Sequence, residues 1–155
     1  MVKIFNSEVE GCVRAPSSKS YTHRALAIAG IADGKSKIEC PLFSRDTKAT
    51  LKALMSMGAG IKVKKEKTIV AGTDGMPSNS NLDCMNSGTT FRFFTAILSL
   101  SKNWSTLDGD QSLRRRPIME LLVALKMLGV KTKTKNGFAP IKVKGPIKGG
   151  NAYIN

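Results

Sequence analysis

Apolar and polar positions along this chain follow two periods, and the order in which the periods alternate repeats. Helical spacing appears first in the run Ala25 to Ala32, which Ser17 and Ser18 are suited to cap and Gly34 to stop. It returns in Leu51-Lys52-Ala53-Leu54-Met55-Ser56-Met57-Gly58 and in Leu122-Val123-Ala124-Leu125-Lys126-Met127-Leu128-Gly129. Both segments read L-x-A-L-x-x-(M/L)-G, an amphipathic helix end closed by a C-terminal glycine. Each is followed by a lysine-rich hairpin: Ile61 to Val70 turning near Glu66, and Lys131 to Val143 turning at Asn136-Gly137. Each is preceded by a strand, at Ser36 to Cys40 and at Trp104 to Asp108. Earlier still comes a helix with an arginine one turn in, Arg24 in the first case and Arg92 in the second, where Phe91, Phe93, Phe94, Ile97 and Leu98 read as core.

The pattern predicts an α/β chain of repeated strand–helix–strand–helix–strand–strand units, one over residues 14–72 and one over 82–145. The turn-rich stretch Gly72 to Asn81 separates them, and residues 146–155 read as a turn entering the first strand of a third unit. Such units bury one helix face against their own sheet and need neighbours to cover the rest, so two of them leave helix surface open. The expectation is therefore a single incomplete domain over 1–155, two of three units present, belonging to something longer and able to self-associate through uncovered helix faces.

Composition narrows the class. At 155 residues and 41% apolar, with no apolar run of membrane-spanning length, the chain reads as a soluble domain with a real core and no membrane partner. Cys12, Cys40 and Cys84 are odd in number and far apart, which predicts buried thiols in a reducing cytoplasm rather than a disulfide or zinc framework. The net charge of +14 attracts anions, polymeric or small. Lys62, Lys64, Lys131, Lys133, Lys142 and Lys144 fall at alternate strand positions, which predicts the solvent face of half-covered sheets. Few aromatics interleave with them, which weakens a base-stacking platform. A basic nucleic-acid-binding module stays as the alternative function, with tight, salt-dependent binding as its mark.

Three motifs carry the candidate chemistry. Pro16 to Arg24 reads P-S-S-K-S-Y-T-H-R and puts Lys19, Ser20 and Arg24 at a helix start, where free backbone N–H groups carry partial positive charge. Cations oppose the macrodipole there, so a bound anion explains them better than stability does. The repeat demands a counterpart, and Asn86-Ser87-Gly88-Thr89-Thr90-Phe91-Arg92 supplies it: Gly88 and Arg92 keep the spacing of Ser20 and Arg24. Glycine at that place lets a ligand approach the backbone. The third is Leu113-Arg114-Arg115-Arg116-Pro117, which puts Arg116 just before a helix with a proline in its first turn. His23, the sole histidine, reads as a partly exposed helix residue or a phosphate contact, and Asp46 as a first-turn acid or the orienter of a nearby cation. No Ser-His-Asp set, metal cluster or Walker loop is present in the sequence, so these residues bind anions without obviously moving protons.

In order and spacing, P-x-S-K-S-x-x-x-R, N-x-G-T-x-x-R and R-P before a helix together resemble the N-terminal part of the 5-enolpyruvylshikimate-3-phosphate synthase family. The resemblance covers the whole chain and about the first third to two-fifths of a family member. Sibling UDP-N-acetylglucosamine enolpyruvyl transferases share the repeat fold without this K-S-x-x-x-R form and rank below as a source of another acceptor. The resemblance implies helices inside, sheets outside and three units per domain. It also implies enolpyruvyl transfer from phosphoenolpyruvate to the 5-hydroxyl of shikimate 3-phosphate, in aromatic amino-acid biosynthesis, by a cytoplasmic, usually monomeric protein with no metal or organic cofactor. Carried over by motif position, Lys19 is the catalytic residue contacting both substrates, Ser20 and Arg24 hold shikimate 3-phosphate, and Gly88 and Arg116 hold phosphoenolpyruvate. Asn86, Thr89, Arg92 and Asp46 are secondary candidates, and Gly88 is where the family's inhibitor glyphosate fits. Ser17 and Phe93 depart from the glycine and proline common at those positions. With the later family motifs absent, the isolated chain is expected to be inactive.

Overall fold

The computed structural model describes residues 2–154 apart from 4, 7 and 9; the expected domain limits at 1 and 155 lie outside the described residues. Helix α1 (Lys19–Ile31) starts at Ser18, whose hydroxyl accepts the Tyr21 N–H, and turns Thr22, His23, Leu26, Ala27, Ala29 and Gly30 inward. The chain then runs through β1 (Lys35–Glu39), α2 (Arg45–Ser56), β2 (Gly60–Lys64) and β3 (Lys67–Ala71). The second half contains β4 (Asn81–Asp83), α3 (Gly88–Leu98), β5 (Ser105–Asp108), a short 3-10 turn at Leu113–Arg115, α4 (Met119–Met127), β6 (Lys131–Lys135) and β7 (Phe138–Lys144).

The two sheets repeat one another. The first has the order β1-β3-β2, entirely antiparallel, and β5-β7-β6 reproduces it in the second. There β4 is added parallel to β5. Both repeat helices end alike: Gly58 and Gly129 take left-handed φ values of 102° and 84°. The next residues, Ala59 and Val130, donate back to the Leu54 and Leu125 carbonyls, 3.0 Å in each case. The glycines at these positions are required by the turn, as the sequence pattern predicted.

Helices α1, α2 and α3 pack against one another and against the inner faces of both sheets. One core results, with Leu26, Leu54, Phe91, Phe94, Leu107 and Ile141 at its centre. Each such side chain contributes about 1.5–3 kcal/mol on burial, so this interior rather than the thin sheets holds the helix starts in place. The outward faces carry the lysine rows: Lys62, Lys64, Lys131, Lys133 and Lys142 are exposed, and Lys144 is half-buried. Helices inside and sheets outside is the observed arrangement.

Three expectations need correction. No strand precedes α1 among the described residues, although β4 fills that place in the second unit; the exposed stretch 10–18 has no paired neighbour to make it a strand. Residues 145–154 likewise form no strand among those described. Only Cys84 is a buried thiol; Cys12 and Cys40 are exposed, because Cys12 lies in that unpaired stretch and Cys40 in the turn leaving β1.

Candidate functional site

Three helix starts face a common cleft. Lys19, Ser20 and Arg24 of α1, Asp46 of α2, Gly88, Thr89, Arg92 and Phe93 of α3, and Arg116 ahead of α4 line a cavity of ≈ 390 Å³. Asn86 joins through its side-chain carbonyl, which accepts from Arg116 Nη2 at 2.7 Å. Every residue expected at the site therefore lies in or against this one cleft.

Local structure explains how each group is aimed. Lys19 is the first residue of α1 and reaches Asp46 in the first turn of α2, where Nζ donates to Oδ2 at 2.9 Å. Asp46 is set by a capping box: Ser44 accepts from the Thr47 N–H and Thr47 Oγ1 accepts from the Ser44 N–H. The ion pair is half exposed, so it contributes at most about 1 kcal/mol and is better understood as holding the ammonium over the cleft. Asp46 is thus both a first-turn acid of α2 and the partner of a cation, the two roles its position allowed.

At α3 the cap is Ser87, whose hydroxyl accepts the Thr90 N–H. A Cβ placed on Gly88 would stand 3.0 Å from Arg116 Nη1 and 3.5 Å from Arg92 Nη1. Glycine here makes room for two guanidinium groups over the first turn of a helix, where the macrodipole already favours an anion. Arg92 is fixed by Nη2 donating to the Pro117 carbonyl at 2.9 Å.

The arginine run splits by function. Arg114 Nε donates to Asp108 Oδ1 at 2.9 Å, and this bond holds the Asp108 carboxyl below the ordinary carboxylate range. Arg115 points to solvent, and Arg116 alone enters the cleft. Pro117 marked Arg116 in the sequence; the pairing of Arg114 with Asp108 needed the tertiary neighbours.

His23 lies in neither of its expected places. It is 1% exposed, and its Nδ1 meets Thr50 Oγ1 of α2 at 2.7 Å. Burial holds its pKa below the ordinary 6.5; Asp46 pulls it up and Lys19 pushes it down, both more weakly. A neutral, buried ring cannot serve as a phosphate contact. Phe93, read as core, is half-buried and lines the cleft, because its place on α3 falls at the edge of the apolar stripe. Its position one residue after Arg92 was the available signal.

Beside the cleft, sharing Arg92 and Phe93, an apolar cavity of ≈ 550 Å³ runs between α3 and the start of α4. Among the described residues no three His, Cys, Asp or Glu side chains are grouped to hold a metal ion, and no helix is long and apolar enough to cross a membrane.

A repeat-built α/β fold here brings an ammonium and three guanidinium groups together at one cleft. Comparison with known proteins gives the family. Residues 5–155 match the family described as EPSP synthase (3-phosphoshikimate 1-carboxyvinyltransferase). The chain is 43% identical to the 3-phosphoshikimate 1-carboxyvinyltransferase of Halorubrum lacusprofundi, covering 99% of this chain and 36% of that protein. With the protein of that name from Methanosarcina mazei it shares 45% identity over 98% of this chain and 36% of the other. EPSP synthase from Acinetobacter baumannii superposes with a TM-score of 0.79 at 30% identity, covering 87% of this chain and 32% of that one. The chain belongs to the EPSP synthase family, and it spans about a third of the length of the curated relatives it matches.

Proposed function

We propose that this chain forms one wall of an enolpyruvyl-transfer site, taking shikimate 3-phosphate at the start of α1 and phosphoenolpyruvate at the start of α3. The observation that carries the reading is the close approach of the Arg116 and Arg92 guanidinium groups to Gly88, in the same cleft as Lys19, Ser20 and Arg24. In this reading Ser20 and Arg24 hold shikimate 3-phosphate, Gly88 and Arg116 hold phosphoenolpyruvate, and Lys19 lies between and touches both. Asn86 orients Arg116, Asp46 orients Lys19, and Thr89 and Arg92 complete the phosphoenolpyruvate side.

The chemistry follows from where charge develops. The 5-hydroxyl of shikimate 3-phosphate gives up its proton as its oxygen bonds to C2 of phosphoenolpyruvate, while C3 takes a proton and becomes a methyl group. The tetrahedral intermediate then loses phosphate from C2 and a proton from C3, leaving the enolpyruvyl ether. Both reactants are anions, so their approach is opposed by repulsion that the converging cations offset. Lys19 between the sites stabilises charge on the oxygens as the intermediate forms and collapses. Within the proposal, residues 14–72 and 82–145 are two of the three units of a domain, and the protein is cytoplasmic. Facing cationic groups from the rest of such a protein are needed for turnover, so this chain alone is inactive.

Calorimetric titration of this chain with each substrate tests the assignment. Arg24→Ala is expected to abolish binding of shikimate 3-phosphate and spare phosphoenolpyruvate, and Arg116→Ala the reverse. Loss of both ligands equally in both variants, or no binding by the unmodified chain, would overturn it.

A further inference from the structure

The peptide joining Pro117 to Ile118 is held at both ends by other parts of the fold. Its carbonyl accepts from Arg92 Nη2 of α3 at 2.9 Å, and its N–H donates to the Gly137 carbonyl in the β6–β7 turn, also at 2.9 Å. That turn is a two-residue loop: Lys135 faces Phe138, and Asn136 and Gly137 take left-handed φ values of 56° and 78°. A hairpin tip ordinarily stands in solvent, yet Gly137 is buried. Met119, the first residue of α4, covers it so closely that a Cβ on Gly137 would stand 3.0 Å from Met119 Cβ and Cε.

Helix α4 needs such a hold. Its cap position is Ile118, which makes no side-chain hydrogen bond to the first turn. The grip also reaches Arg116, because little between them can rotate. The pyrrolidine ring fixes φ at Pro117, and the residue before a proline is kept extended, as Arg116 is at φ -96° and ψ 120°. That leaves ψ of Pro117 as the one soft dihedral between the clamped peptide and Arg116. The Arg116 head meets the Asn86 carbonyl and lies close to Gly88, so a small shift of this backbone changes what the guanidinium can reach.

We infer that Arg92 is a positioning residue and that the Asn136-Gly137 turn is its counterpart: the two clamp the Pro117–Ile118 peptide from opposite sides and so set where Arg116 meets phosphoenolpyruvate. The inference rests on the functional reading above, and it gives Arg92 its part there through Pro117 rather than through the substrate. It also gives a turn that lines no part of the cleft a hold on one of the cleft's cations.

The test is a double-variant cycle on this chain, read by calorimetric titration with phosphoenolpyruvate. Arg92→Ala removes one half of the clamp, and Gly137→Ala pushes the turn off α4 and removes the other. Each is expected to weaken phosphoenolpyruvate binding about 5-fold, the worth of one hydrogen bond, and an unchanged affinity in either overturns the inference. Since either loss frees the same peptide, the double variant should bind no more weakly than the weaker-binding single variant. If Arg92 contacts phosphoenolpyruvate itself, the losses multiply to about 25-fold and the inference falls. Shikimate 3-phosphate, assigned to Ser20 and Arg24, reports on the fold. Its affinity should hold in all three variants, and a parallel loss of both ligands means general damage and overturns the clamp. Nitrogen NMR of the ligand-free chain gives a readout that needs no substrate: the Arg116 Nε–H should be rigid in the unmodified chain and mobile in Gly137→Ala. A rigid Arg116 in that variant overturns the inference. Failure of the unmodified chain to bind phosphoenolpyruvate overturns the functional reading and this inference with it, whereas multiplied losses overturn the inference alone.

Discussion

Lys19 and Asp46 are 27 positions apart, and their contact exists only because α1 and α2 start side by side. The sequence reading found Lys19, Ser20 and Arg24 because helical phase is a local property: Ser20 and Arg24, four apart, share a face whatever surrounds them, and Lys19 sits at the open end of the same helix. It failed on His23 for the complementary reason, since the depth of a helix face is decided by what packs on it. Two predictions belong at this scale. Because burial depresses the His23 pKa, the unfolded chain takes up the proton first, and stability should fall as pH drops below the ordinary 6.5 until the folded ring is also protonated. Urea midpoints at about pH 7.5 and about pH 5.5 would show it, and His23→Gln should flatten that part of the slope; an unchanged slope counts against the buried neutral ring. Burial, reinforced by Asp83 and Asp108, pushes the Cys84 thiol up to about 12, while Cys12 and Cys40 are open to solvent. An aromatic disulfide reagent should therefore label two thiols quickly and the third only on unfolding. Three fast thiols would contradict the buried site.

Between elements, the repeat was the most legible feature, because the helix-closing glycines and the hairpin turns are set by short-range backbone demands. The order β1-β3-β2 and its counterpart β5-β7-β6 were not legible in that sense: strand order depends on which edges meet, and no single strand encodes its neighbour. The missing strand before α1 makes the same point from the other side, since alternation can suggest a strand and only a paired edge makes one. Gly72 shows how tightly the elements meet. It follows β3, its N–H donates to the Gly34 carbonyl at 3.0 Å, and a Cβ there would run into the carbonyl oxygens of Ala32 and Ala29 at the end of α1. Backbone carbonyls cannot rotate aside as a side chain can, so Gly72→Ala should cost about 1–3 kcal/mol by pushing α1 away from the first sheet. Thermal melting measures this loss. Since α1 carries Lys19, Ser20 and Arg24, affinity for shikimate 3-phosphate should fall with it, and an unperturbed melting temperature would show that α1 is held elsewhere.

For the whole molecule, the +14 charge and the open helix faces act in opposite directions, and salt separates them. Met119 and Met127 of α4 and Ile28 of α1 are 40%, 53% and 66% exposed, apolar surface of a kind that a second copy would cover. Like charge opposes that approach, because the lysine rows on both sheets face outward and few acids lie among them. Raising salt from about 0.1 M to about 1 M shortens the screening length from about 10 Å to about 3 Å and removes most of this repulsion. Self-association, followed by sedimentation, should therefore strengthen with salt. Substrate binding has the opposite sign, because attraction of small anions to the cleft by the same field is screened as well. A nucleic-acid module would show salt-weakened binding of a polymer instead, and would place its cations in a contiguous groove rather than over helix starts. The expected outcome is a chain whose mass rises with salt while its affinity for phosphoenolpyruvate falls. If both fall together, association runs through the charged cleft itself, and the apolar faces of α1 and α4 are not where copies meet.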